Sequence, residues 1–162
     1  MLLTAPVPQS LLLLARGGVN LPAEVLRTLQ AIRYRRCIAA LAILDRPSVL
    51  TANQGALKLQ GEPLQWIGDN QRKGVSPAMP SVTIHSTPAF AEEHWDVGDA
   101  VRLPKLLAAA APHVLAKVVS CTGHRWGFSE PIGVFNREAF VDATCRLAIA
   151  GDGLTGGRIE GA

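Results

Sequence analysis

The chain has 162 residues, 48% of them apolar and 18% charged, with a formal net charge of +3. That length suits one compact domain, or one domain and a strip of another, and the composition excludes an intrinsically disordered polymer. Basic residues are scattered except for Arg33, Arg35 and Arg36, and no basic stripe interleaved with aromatics marks a nucleic-acid partner. In chain order, the apolar start Met1-Leu2-Leu3 runs into Thr4-Ala5-Pro6-Val7-Pro8 as a short strand with no earlier element to join. Residues 9–15 and 22–32 read as two short helices; Pro22 suits a first turn, and Val25, Leu26 and Leu29 share a face. Residues 34–44 read as a strand with Arg33, Arg35 and Cys37 on one side and Tyr34, Arg36 and Ile38 on the other. Further strands are predicted at 55–59, 65–70, 81–85, 116–120 and 145–150, and an amphipathic helix at 97–111. Pro104 is placed in the first turn of that helix, which would delay its start. Short strands joined by turns and flanked by helices predict an α+β fold, a mostly antiparallel sheet with helices on one face.

Cys37, Cys121 and Cys145 are odd in number and widely spaced, so neither a disulfide framework nor a zinc site is indicated, and a reducing, cytoplasmic setting is expected. His85, His94, His113 and His124 lie at no metal-ligand spacing. No apolar run is long enough for a signal or a membrane span, so no membrane partner is expected.

The stretch richest in chemical information is the apolar run Leu147-Ala-Ile-Ala150 followed by Gly151-Asp-Gly-Leu-Thr-Gly-Gly-Arg-Ile-Glu-Gly-Ala162. Gly151, Gly153 and Gly156 satisfy G-x-G-x-x-G, but a dinucleotide fingerprint needs a whole βαβ unit and an acidic residue about twenty positions on, which do not follow here. Another reading keeps the physics. Asp152 at a strand end accepts hydrogen bonds from a ligand's hydroxyls, while amides at Gly156, Gly157, Arg158 and Ile159 face the same ligand from a helix N-terminus. A ligand-free glycine turn explains the spacing about as well.

The run Gly151-Asp152 with Gly156-Gly157-Arg158-Ile159-Glu160-Gly161-Ala162 resembles the C-terminal flavin motif of FAD-dependent oxidoreductases of the amine-oxidase superfamily, especially the renalase-like bacterial branch. Three stretches agree in order. Leu3-Thr4-Ala5-Pro6-Val7-Pro8-Gln9 resembles the lead-in to the substrate domain, Ser81-Val82-Thr83-Ile84-His85-Ser86-Thr87-Pro88 a central strand of it, and His124-Arg125-Trp126 with Pro131 the stretch before the flavin segment. Gly127-Phe128-Ser129 and Leu154 depart from that pattern at positions tied to substrate class.

The resemblance implies an amine or a reduced nicotinamide-like small molecule as substrate and FAD as cofactor, with Asp152 on the ribityl and pyrophosphate region. It implies a substrate-binding domain over residues 4–130 and a terminal strand-turn-helix piece of a FAD/NAD(P)-binding domain over 140–162. The dinucleotide-binding half is expected to be missing, as an N-terminal partner, so that this chain alone does not retain FAD and self-associates through exposed apolar ends. His124 and Trp126, on one side of a strand, are candidates for the flavin face or the substrate. No acid, base or nucleophile is nominated. The alternative is a non-catalytic binding or interaction remnant of such an enzyme.

Overall fold

A computed structural model describes residues 1–133 and 135–157. In chain order the elements are β1 (Leu2–Leu3), α1 (Val7–Arg16), α2 (Ala23–Ala31), β2 (Arg33–Leu44), β3 (Ala56–Lys58), β4 (Leu64–Asp69), β5 (Ser81–Ser86), α3 (Pro88–Glu93), α4 (Asp99–Val114), β6 (Val118–Ile132), β7 (Ala139–Asp142), β8 (Leu147–Ala150) and α5 (Asp152–Thr155). The fold is α+β with mostly antiparallel sheets, ordered β3-β4-β5-β2-β6 and β1-β8-β7. Two compact units emerge, Arg36–Gly127, and Met1–Arg35 with Phe128–Ala162. In the second of these, the two N-terminal helices share one apolar cluster with the C-terminal strands.

In the unit Arg36–Gly127, alternation decides which side chains are buried. Val82, Ile84 and Ser86 of β5 are buried while Ser81, Thr83 and His85 between them are partly exposed. Ile38, Ala40, Ala42 and Leu44 of β2 and Ile67 of β4 join that face, and α3 and α4 close it with Phe90, Ala91, Leu103, Leu106, Ala110 and Val114. Each fully buried large aliphatic side chain there contributes about 1.5–3 kcal/mol. A register shift between Leu64 and Trp66 lets Leu64 and Ile67 both reach the core although three positions apart. The Thr87 hydroxyl caps α3 by accepting the Phe90 N–H at 3.3 Å, and Pro88 follows where no N–H is needed.

One expectation changes here. Pro104 lies inside α4 beyond its first turn and does not delay it: the helix starts at Asp99 and runs to Val114, held by its apolar stripe against the sheet. Arg36, clustered with Arg33 and Arg35 in the sequence, pairs with Glu92 at 3.1 Å. His94, directly after α3, is 6% exposed and stacked on Phe90 at 4.1 Å between ring centroids.

In the other unit, Val7 and Leu14 of α1, Leu29 and Ile32 around α2, Phe140 of β7, Leu147 and Ile149 of β8 and Leu154 form a second core. β1 pairs parallel to β8, Leu2 opposite Ala148 and Leu3 opposite Ile149. Leu147 is 2% and Ile149 0% exposed. Among the described residues no helix is long and apolar enough to cross a membrane.

Candidate functional site

Strand β8 is followed by Gly151, whose φ of 128° lies where a side chain is strained, and a Cβ there would stand 3.3 Å from the Thr4 carbonyl oxygen. The chain then makes one helical turn. Leu154 N–H donates to the Gly151 carbonyl at 3.0 Å and Gly156 N–H to that of Asp152 at 2.9 Å, while the fully buried Leu154 pins the turn to the core. α5 ends at Gly156, with φ 106° there and 33° at Gly157, and the helix expected from Gly156 onward falls mostly outside the described residues. The N–H groups of Gly156 and Gly157 both donate to the Asp152 carbonyl, at 2.9 and 3.2 Å, and Arg158 and Ile159 lie outside the described residues.

Asp152 is partly exposed, and Tyr34 from the start of β2 donates its hydroxyl to Asp152 Oδ1 at 3.1 Å. The same hydroxyl accepts the Val7 N–H at 3.3 Å, and the Tyr34 ring meets Phe128 edge-on at 5.5 Å. Burial chiefly, with the neighbouring Asp152 carboxylate adding, pushes the Tyr34 phenol up to about 12. Gly153 is glycine because a Cβ would lie 2.5 Å from the Tyr34 hydroxyl and 2.8 Å from Val7 Cγ2. The protein itself thus fills the space over Gly151 and Gly153, and a flavin is not required to explain them. Asp152, the first residue of α5, carries an acceptor-only carboxylate, the chemistry that pairs with ligand hydroxyls.

In the unit Arg36–Gly127, a second group of residues lies on the sheet face away from α3 and α4. Trp66 and His85, paired across β4 and β5, have ring centroids 5.1 Å apart, and Lys73 stands 5.0 Å over Trp66. The Trp66 indole folds back over Gly68, where a Cβ would come within 2.0 Å of it. Burial first, then the Lys73 ammonium, holds the His85 imidazole below its ordinary value, so it is neutral at pH 7. On β6, His124 and Trp126 share a side as expected, with ring centroids 4.5 Å apart and Trp126 50% exposed. Arg125 points the opposite way, donating to the Trp95 carbonyl at 2.9 Å.

Sequence reasoning did not single out Tyr34 or the pairing of His85 with Trp66. The strand alternation placed Tyr34 on a definite side, but nothing local reveals a partner 118 residues away. For His85 and Trp66 the available signal was alternation against the apolar Ile84 and Ile67. Among the described residues no cluster of His, Cys, Asp and Glu is disposed to hold a metal ion.

No protein-family model matches the chain. Among solved structures it resembles one named "Putative protoporphyrinogen oxidase" from Exiguobacterium sp. 255-15, with a TM-score of 0.63 and 15% identity over 96% of this chain. The chain spans 36% of that structure's length, and what the two share at this identity is the fold.

Proposed function

We propose that this chain forms part of a FAD-dependent oxidoreductase of the amine-oxidase kind, in its renalase-like branch, acting on an amine or a reduced nicotinamide-like ring. The observation that carries the reading is a fold likeness extending over 96% of the chain to a structure named as an oxidase. The flavin motif resemblance at Gly151-Asp152 adds the cofactor.

When bound, FAD would supply the redox chemistry by accepting a hydride or its equivalent, and the protein supplies binding, orientation and electrostatics. Asp152 would hold the cofactor by accepting hydrogen bonds from its hydroxyls. The helix-free sheet face of Arg36–Gly127 would receive the substrate. Trp126 offers an exposed ring for stacking a planar group, beside His124. His85, held neutral, can accept a hydrogen bond from an amine N–H without setting two cations together.

The test is a flavin-fluorescence titration of FAD onto this chain, wild type against Asp152→Ala. Weak, measurable binding is expected, looser than about a micromolar, because Asp152 supplies only part of the roughly 8 kcal/mol that a micromolar complex needs. Losing a hydrogen bond to a charged partner costs about 1.5–3 kcal/mol, so the variant should bind roughly tenfold to a hundredfold more weakly. Equal affinity of the two proteins would make Asp152 a turn residue and remove the cofactor assignment.

A further inference from the structure

We infer that Tyr34 is a positioning residue for the flavin, fixing the Asp152 carboxylate in the rotamer that receives the cofactor's hydroxyls. This rests on the proposed cofactor reading. It follows from the way the Tyr34 hydroxyl is committed at both ends. The Val7 N–H belongs to the first residue of α1 and has no carbonyl of that helix to bond, so the Tyr34 oxygen satisfies it at 3.3 Å. The phenolic proton is then left to Asp152 Oδ1, at 3.1 Å.

Rotation of Tyr34 away from Asp152 would orphan the Val7 N–H and break the edge-on contact with Phe128. A buried donor left unpaired is costly enough to keep the hydroxyl in place. The turn is built around this arrangement: any side chain at position 153 would strike the Tyr34 hydroxyl. An ionised carboxylate has about four acceptor positions, of which Tyr34 takes one, so the bond orients Asp152 without exhausting it. Asp152 is thereby oriented before a ligand arrives, and the rotamer entropy of fixing it is not charged to binding.

The experiment is a double-mutant cycle on FAD affinity with the whole chain, using Tyr34→Phe, Asp152→Ala and both together, titrated by flavin fluorescence to millimolar FAD. Thermal unfolding of each variant is measured in parallel. Positioning predicts that Tyr34→Phe weakens FAD several-fold to tenfold while its unfolding temperature stays near wild type, and that the double variant binds no more weakly than Asp152→Ala. A merely structural Tyr34 would instead give additive losses, or losses that follow the unfolding temperature, and either result overturns the inference.

If Asp152→Ala weakens FAD and Tyr34→Phe does not, the positioning role falls and the cofactor reading stands. Should Tyr34→Phe fold poorly, Asp152→Asn supplies the second arm. Tyr34 is the single tyrosine, so the ultraviolet titration of phenolate reads this site alone, and removing the carboxylate charge should lower the phenol's titration point. An unchanged titration would show that the two groups do not interact and would sink the inference.

Discussion

Two titrating side chains, one in each unit, give stability profiles of opposite sense. The Tyr34 phenol is raised in the folded chain to about 12, against an ordinary value near 10. Between those limits the unfolded chain has released a proton that the folded one keeps. The stabilisation is therefore complete below about pH 10 and is lost as pH rises toward the folded value. His85 is lowered by burial and by Lys73, so its stabilisation is present above about pH 6.5 and is lost as acid forces a proton onto the buried ring. Denaturant midpoints measured across pH should fall at both ends. Tyr34→Phe should flatten only the alkaline limb, against a background in which Cys37, raised by burial, contributes with the same sign. His85→Gln should flatten only the acid limb. Variant profiles parallel to wild type would show that neither group is buried as described. Tyr34 was hard to recognise from sequence because its role comes from a long-range hydrogen bond and from the missing side chain of Gly153, and neither leaves a local pattern.

At the scale of elements, legibility followed burial. Alternation in β5 and the 3.6-residue stripe of α4 are imposed by one deep core, so both were readable from apolar spacing. Strand β6 was expected to cover residues 116–120, but it runs from Val118 to Ile132 with no residue of it deeply buried. Its glycines and polar residues carry no hydrophobic period, which is why apolar spacing did not reveal the strand's full length. β7 was missed for a related reason: Phe140 is its one buried side chain. Helix α4 also shows tertiary packing overriding propensity. Pro104 lacks the N–H that would serve the Ala100 carbonyl, and an interior proline costs about 3 kcal/mol relative to alanine, yet Leu103, Leu106, Ala110 and Val114 hold the helix. Pro104 is itself exposed, so Pro104→Ala touches no core contact. It should stabilise the chain by about 1–3 kcal/mol, read as a higher denaturant midpoint at unchanged slope. A lower midpoint would mean that the proline fixes a bend the core requires.

For the whole molecule, the separation into two cores is the feature that a linear reading could least supply. The cluster built on Ile38, Ile67, Ile84 and Leu106 draws only on Arg36–Gly127, and the one built on Val7, Leu29, Phe140 and Ile149 only on Met1–Arg35 and Phe128–Ala162. The second is discontinuous in sequence and closes through the parallel pair β1–β8, whose partners lie almost the full chain apart. Such a contact has no local signature, and its loop entropy must be met before it stabilises anything. Removing Leu2 and Leu3 should therefore act on one core alone. The deletion takes away the parallel partner of β8, including the Ala148 N–H bond to the Met1 carbonyl at 2.9 Å, and the Leu3 side chain packed on the second cluster. Hydrogen bonds of this kind are worth about 0.5–1.5 kcal/mol each and a partly buried leucine up to about 1.5 kcal/mol, for a loss of roughly 2–3 kcal/mol. Hydrogen exchange should accelerate at Ala148, Ile149 and Phe140 by about tenfold for each 1.4 kcal/mol lost, while Ala42, Val82 and Ile84 keep their protection. Equal acceleration in both sets would show one cooperative core instead of two. Unchanged exchange at Ala148 would show that β1 contributes nothing to holding the strand that delivers Asp152.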